Sequence, residues 1–197
     1  MKKAAVQKLS SLASVSTGYS FRSRIDSDEE GDISVVQLRN IEGDGTLDAD
    51  GLVSVNLDKV KSNYWLHPGD VVLCSRGTSM PAALITSNVG KAIAASPVLL
   101  IRANPERLSP EYLVWFLNHP SLGQRRLASI QRGTNMPIVN KKELLEIEIV
   151  VPSLVEQAKI SALSSLQLRE NRLLEKIKEK QNQYMNAVLM KCMNGEL

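Results

Sequence analysis

The amino-acid sequence predicts an α+β protein: a mainly β domain with inserted helices over about residues 1–152, then one long C-terminal helix over 153–197. Three observations carry this. Short β-like runs of four to six residues, split by turn-rich pieces such as EGDGTLDADG and HPGD, fill the first part. After Pro152 the pattern changes abruptly, with neither Gly nor Pro from Ser153 to Lys191. The hydrophobic fraction of 43% and charged fraction of 23% supply a real core and exclude wholesale disorder.

Taken in order, Ala4, Val6, Leu9, Leu12 and Val15 recur at helical spacing, so an amphipathic helix is expected over 3–15, stopped near Gly18. A polar loop follows through Tyr19, Phe21, Arg22 and Arg24 to Glu30. Strands are expected at Ile33–Leu38, Leu52–Val55, Val71–Cys74, Ala82–Thr86 and Val98–Arg102. Ser109 can cap and Pro110 suits the first turn of a helix over Pro110–Asn118. A second helix is expected from Ser121 to about Gln131, stopped at Gly133. Residues 143–151, ELLEIEIVV, alternate apolar and acidic, as a half-buried final strand would.

In the C-terminal segment Ile160, Leu163, Leu166, Leu173, Ile177, Tyr184 and Val188 keep spacings of three, four or seven. About 39 helical residues would make a rod of roughly 58 Å, longer than a small domain is wide. Its apolar stripe must lie on its own domain, on another copy or on a different protein. The polar rungs Gln167, Glu170 and Gln181 favour a specified pairing over a generic zipper.

Charge is unevenly distributed although the net charge is +3. Ten acids lie from Asp26 to Asp58, with Arg39 the one basic residue among them. From Tyr112 to Lys142 there is no acid, while Arg125, Arg126, Arg132, Lys141 and Lys142 fall inside that window. Such a window fits phosphate contacts on a nucleic acid or a solvated basic face. Aromatics at 4% argue against stacking of single-stranded bases.

Catalytic and metal chemistry lack their parts. His67 and His119 stand alone, and Cys74 and Cys192 form neither a metal knuckle nor a disulfide framework. Asp44, Asp48 and Asp50 beside Gly45 and Gly51 miss the spacing of a calcium loop and fit a polar turn better. No nucleotide-binding glycine loop, phosphate loop or nucleophile elbow is present. No run reaches the ~18 apolar residues of a membrane span, and no signal-peptide core follows the basic start, so a reduced, cytoplasmic protein is expected.

Several segments resemble a known family. GTNMPIVNKKELLEIEIVVPSLVEQAKI, Gly133 to Ile160, is similar to the end of a target-recognition domain in specificity subunits of type I restriction-modification systems. There a Gly-Ser/Thr turn leads to a helix start (here Lys141–Leu145), an Ile-rich strand (Ile147–Val151), a Pro and a Glu-Gln pair (Glu156-Gln157) opening a long helix. HPGDVVLCSRGTSMPAAL resembles the family's Gly-Asp-strand-Gly-Thr hairpin, and STGYSFRSRI and SPEYLVWFLNHP match further pieces. A full-length subunit carries two such domains and two long helices, whereas this chain has one set.

The resemblance implies a non-catalytic subunit reading double-stranded DNA and recruiting a DNA methyltransferase subunit and a restriction endonuclease subunit. S-adenosylmethionine would belong to the methyltransferase, and no cofactor is expected in this chain. It implies an antiparallel coiled coil of two such helices, here between two copies, which would read a bipartite palindrome. Candidate DNA contacts are Arg22, Arg24, Arg125, Arg126, Lys141 and Lys142. The two Gly-Thr turns add Arg76 and Thr78, and Arg132, Thr134 and Asn135; Arg suits guanine edges and Asn adenine. The acidic stretch should face away from DNA. A free-standing dimeric DNA-binding regulator and a protein-interaction adaptor without DNA remain the alternatives at this point.

Overall fold

A computed structural model describes residues 5–28, 30–133 and 136–195. By its contacts the chain divides into two compact units, Met1–Lys159 and Ile160–Leu197.

The first unit is built on three small sheets. The largest has four antiparallel strands: β2 (Ala13–Thr17), β8 (Val98–Ala103), β5 (Val71–Cys74) and β6 (Ala82–Leu84), in that spatial order. A second places β3 (Ile33–Val36) between antiparallel β4 (Val53–Val55) and parallel β7 (Ala92–Ala94). The third pairs β1 (Ala5–Lys8) with β9 (Glu148–Val151), Ala5 opposite Val151. Val71, Val72, Leu73, Leu100 and Ile101 are buried, so β5 and β8 read as continuous apolar runs because both of their faces are covered.

Two apolar clusters fill the unit. One joins Val36, Val72, Cys74, Ala83, Ile85, Val98 and Leu100. The other joins Ile33, Val35, Val55, Ile93 and Ala95, covered by Tyr19, Phe21, Tyr64 and Trp65. Burial pushes the Cys74 thiol up to about 11.

The N-terminal helix expected over 3–15 is not formed. The chain runs instead through β1, a 3-10 turn at Leu9–Ser11, and β2. Leu9, Leu12 and Val15 are buried at their three-residue spacing. A 3-10 turn repeats every three residues, so it links two strands while keeping the inward positions helix-like in spacing. Gly18 is not a helix stop; a Cβ there would lie 2.5 Å from the Ala94 carbonyl oxygen, so glycine permits the close approach to β7.

The strands expected near 33, 52, 71, 82 and 98 occur with ends shifted by at most two residues, but β7 was not foreseen. The helix α1 occupies Pro110–Asn118, with the Ser109 side chain accepting from the Tyr112 amide. The single helix expected from Ser121 to Gln131 is a π-helical turn, Pro120–Gln124, followed by α2, Arg125–Ser129. Gly123 makes this possible, since a Cβ there would lie 2.3 Å from Leu117 Cα and from the Phe116 carbonyl oxygen. The strand read over 143–151 is divided: α3 covers Lys141–Leu145, capped by Asn140, and β9 only the remainder. Tertiary packing decides here, with Leu144 buried from α3 and Ile149 from β9.

The outer edge of β6 is closed without a further strand. The Asn118 side-chain amide donates to the Ala82 carbonyl and accepts from the Ala82 N–H, both at 2.8 Å. Gln124 repeats the pattern on Met80, donating at 2.9 Å and accepting at 3.3 Å. Residues 80 and 82 present their backbone groups to the same side, so two side-chain amides satisfy what a neighbouring strand would.

The helix α4 spans Leu154–Met193. Its first turn belongs to the first unit and is fixed by Gln157, 0% exposed. Gln157 Oε1 accepts from the Ser109 amide at 2.8 Å, and Nε2 donates to the carbonyls of Arg107 (3.0 Å) and Pro152 (2.9 Å). In the second unit Leu163, Leu166, Leu173, Ile177 and Tyr184 are exposed, and Ile160 and Val188 half-buried. Among the described residues no helix is long and apolar enough to cross a membrane.

Candidate nucleic-acid interface

The end of β5 carries the first Gly-Thr turn. Ser75 Oγ donates to the Pro97 carbonyl and the Ser75 carbonyl accepts from the Val139 amide at 2.9 Å. Gly77 then reverses the chain at φ 115°, a region that favours glycine, and its N–H donates to the Pro137 carbonyl at 3.0 Å. The second turn is reached through the same segment. Arg132 and Ile138 exchange two backbone hydrogen bonds of 2.9 Å, and Gly133 has φ 91°. Ile138 is bridged on one side to Arg76 and on the other to Arg132. The two motifs, more than fifty residues apart in sequence, are therefore neighbours across one extended segment, 137–139.

That segment leads directly to α3. Val139 is buried as an anchor, Asn140 caps the helix by accepting from the Glu143 amide at 2.9 Å, and Lys141 and Lys142 follow, both exposed. Cations in a first helical turn oppose the helix dipole, a local cost that a surface for anions would explain. On the other flank, the pairing of Gln124 with Met80 ties the start of α2 to the chain two residues after Thr78. Arg125, Arg76 and Thr78 are exposed.

Two candidates are held by the fold. Arg126 is half-buried; its guanidinium donates to the Leu122 carbonyl at 3.0 Å and lies 5.5 Å from the Phe116 ring centre. Arg132 pairs through Nε with Glu143, the first acid after the acid-free window. Thr134 and Asn135 lie outside the described residues. Arg22 and Arg24 belong to a different loop, and Arg24 meets Asp26 at 3.6 Å with both side chains nearly fully exposed. Such a pair contributes little. Sequence reading missed Arg39 as a partner of Arg24: both line one cleft. Its signal was its isolation as the one basic residue within an acidic stretch.

Asp44 and Asp48 do not converge on a cation in the way a calcium loop would: Asp44 Oδ1 accepts from the Thr46 amide and Asp48 Oδ1 from the Gly51 amide, ordinary polar turns. Among the described residues there is no group of three His, Cys, Asp or Glu that could hold a metal ion.

The model of the family described as "Type I restriction modification DNA specificity domain" matches residues 1–183. The chain belongs to that family. Solved structures agree on the fold. A chain from a study of complex assembly and conformational transition in the type I R-M system aligns with TM-score 0.69 at 16% identity, covering 100% of this chain and 47% of that one. The HsdS subunit from Thermoanaerobacter tengcongensis gives 0.61 at 18% identity, covering 100% and 46%. The type I system S subunit from M. genitalium gives 0.57 at 16%, covering 90% and 42%. This chain thus spans just under half the length of these solved chains. No curated protein matches it.

Proposed function

We propose that this chain is a non-catalytic DNA-recognition subunit of a type I restriction-modification system in the cytoplasm. The observation that carries the reading is the convergence of the two Gly-Thr turns, with Arg76 and Arg132 bridged through Ile138 and Lys141 and Lys142 following on α3. Glycines at positive φ let backbone approach a duplex closely, flanking arginines can read guanine edges, and lysines can neutralise phosphates. Thr78, Thr134 and Asn135 would add polar contacts to base edges. Arg126, held over Phe116, would act by shaping α2, and Arg125, Arg22 and Arg24 would meet the backbone.

Two copies pair through an antiparallel coiled coil in this proposal, with Ile160, Leu163, Leu166, Leu173, Ile177, Tyr184 and Val188 as the seam. Exposed apolar side chains on a lone 40-residue helix support it. The dimer then reads a bipartite palindrome and recruits a DNA methyltransferase subunit, which brings S-adenosylmethionine, and a restriction endonuclease subunit. Leu174 and Leu189, exposed off the seam, offer a surface for that docking.

Light scattering and duplex binding across a salt series test the proposal together. A dimer whose affinity falls steeply with salt, and which captures a methyltransferase, is the expected result. A monomer that ignores duplex DNA at low salt, with and without a methyltransferase subunit, would refute it.

A further inference from the structure

The cleft shared by Arg24 and Arg39 has a consistent chemistry. It measures about 340 Å³ and is lined by Ser20, Ser23, Arg24, Gln37, Arg39 and Ser96, with Phe21 and Ile25 as its apolar wall. Every polar side chain in that lining can donate a hydrogen bond: two guanidiniums, three hydroxyls and one amide. Among the described residues no carboxylate lines it.

Gln37 sharpens the picture. Its backbone is tied to Asn40: the Asn40 amide donates to the Gln37 carbonyl at 3.0 Å, and Asn40 Oδ1 accepts from the Gln37 amide at 2.9 Å. Nε2 itself is buried with no hydrogen-bond partner. A buried donor left unsatisfied costs free energy, and rotation of the Gln37 side chain toward the cleft would let an acceptor with several oxygens recover it. The nearest acid in sequence, Asp26, is largely solvated and 3.6 Å from Arg24, so it competes weakly. Asp28 is already engaged by the Asn56 side chain and the Glu30 amide.

The cleft also adjoins the candidate interface. Ser96 lines it, and the next residue, Pro97, accepts from Ser75 Oγ, one residue before Arg76.

We infer that this cleft is a phosphate seat: Arg24 and Arg39, with the serines and Gln37 as neutral donors, hold one phosphodiester of the duplex that the Gly77 and Gly133 turns read. The inference rests on the DNA-recognition reading for the source of the phosphate, not for the chemistry of the seat. It gives a role in binding to Arg39, which lies within the acidic stretch expected to turn away from DNA. A phosphate contact positions the duplex without reading bases, so its loss should weaken all sequences alike.

The test uses the full chain and its Arg24→Gln, Arg39→Gln, Arg39→Lys and doubly substituted R24Q/R39Q forms, with circular dichroism to confirm folding. Binding is read by fluorescence anisotropy on two unrelated duplexes between low and moderate salt. Each Arg→Gln change should weaken both duplexes about tenfold. The double change should lower the salt slope by about 1, the value for one phosphate, while Arg39→Lys keeps the slope. Duplex binding with an unchanged slope in R24Q/R39Q overturns the seat and leaves the recognition reading standing. If the wild-type chain binds no duplex, the recognition reading fails. Titration with inorganic phosphate, followed by phosphorus NMR, then decides the seat: binding lost in R24Q/R39Q retains it for a free phosphate, and no binding overturns it.

Discussion

Replacing Gln157 by Met keeps the volume of the side chain and removes its polar end. Three hydrogen bonds disappear, from the Ser109 amide and to the Arg107 and Pro152 carbonyls. At about 0.5–1.5 kcal/mol net for each, the loss sums to about 1.5–4.5 kcal/mol. Arg107 is exposed and Ser109 and Pro152 half-buried, so water can reach some of the abandoned groups and the lower half of that range is expected. Urea unfolding of the variant should show the lowered midpoint, and hydrogen exchange at the Ser109 amide should quicken. Gln157→Glu adds a sign test. Its carboxylate can still accept from Ser109, but it sets an acceptor against two carbonyls, so it should be at least as unstable at neutral pH. It should recover as acidification protonates it. A loss under about 1 kcal/mol for Gln157→Met would refute the argument that these bonds fix the start of α4.

Four further outcomes are expected. Gly123→Ala must push a Cβ into the Leu117 and Phe116 backbone, so unfolding should show a cost of at least about 1–3 kcal/mol, with α2 affected first. Asn118→Ala strips both partners from Ala82 and should cost about 1–3 kcal/mol in the same assay, with increased self-association through the opened β6 edge. Thiol titration should find Cys192 reactive at once and Cys74 reactive only on unfolding. The same burial raises the Cys74 thiol from 9.0 to about 11 and the Tyr112 hydroxyl from 10.0 to about 12. Both groups are held neutral in the folded chain, so their contribution is whole below pH 9 and is lost as pH rises through these values. An unfolding series should fall from about pH 9 upward, at about 1.4 kcal/mol per pH unit for each titrating group, and Cys74→Ala should delay the onset.

Much of this architecture is legible from local chemistry. Ser109-Pro110 announces α1, β5 and the first four residues of β8 are apolar runs, and the absence of Gly and Pro from Ser153 to Lys191 gives α4 its length. What stays hidden is held by partners distant in sequence. The N-terminal segment has helical spacing, but β9 and β8 recruit it as strands. Ala92–Ala94 is too short and too alanine-rich to read as a strand, and becomes one because β3 lies beside it. For the candidate interface, the two Gly-Thr turns and their basic neighbours are visible in the sequence. Their adjacency through Ile138 is not, because an isolated bridge leaves no periodic trace. Arg126 looks as free as Arg125 until Phe116 and Leu122 are placed around it.

The counterfeit strand made by Asn118 and Gln124 frees the loop it borders to vary. Met80 and Ala82 flank the far side of the loop that carries Arg76 and Thr78, and the amides that hold them come from the segment that delivers Arg125 and Arg126. Both amides bond main-chain N–H and C=O groups, which do not depend on the side chain at those positions. Side chains of the loop can therefore be exchanged while the edge stays covered, whereas loss of Asn118 or Gln124 opens it.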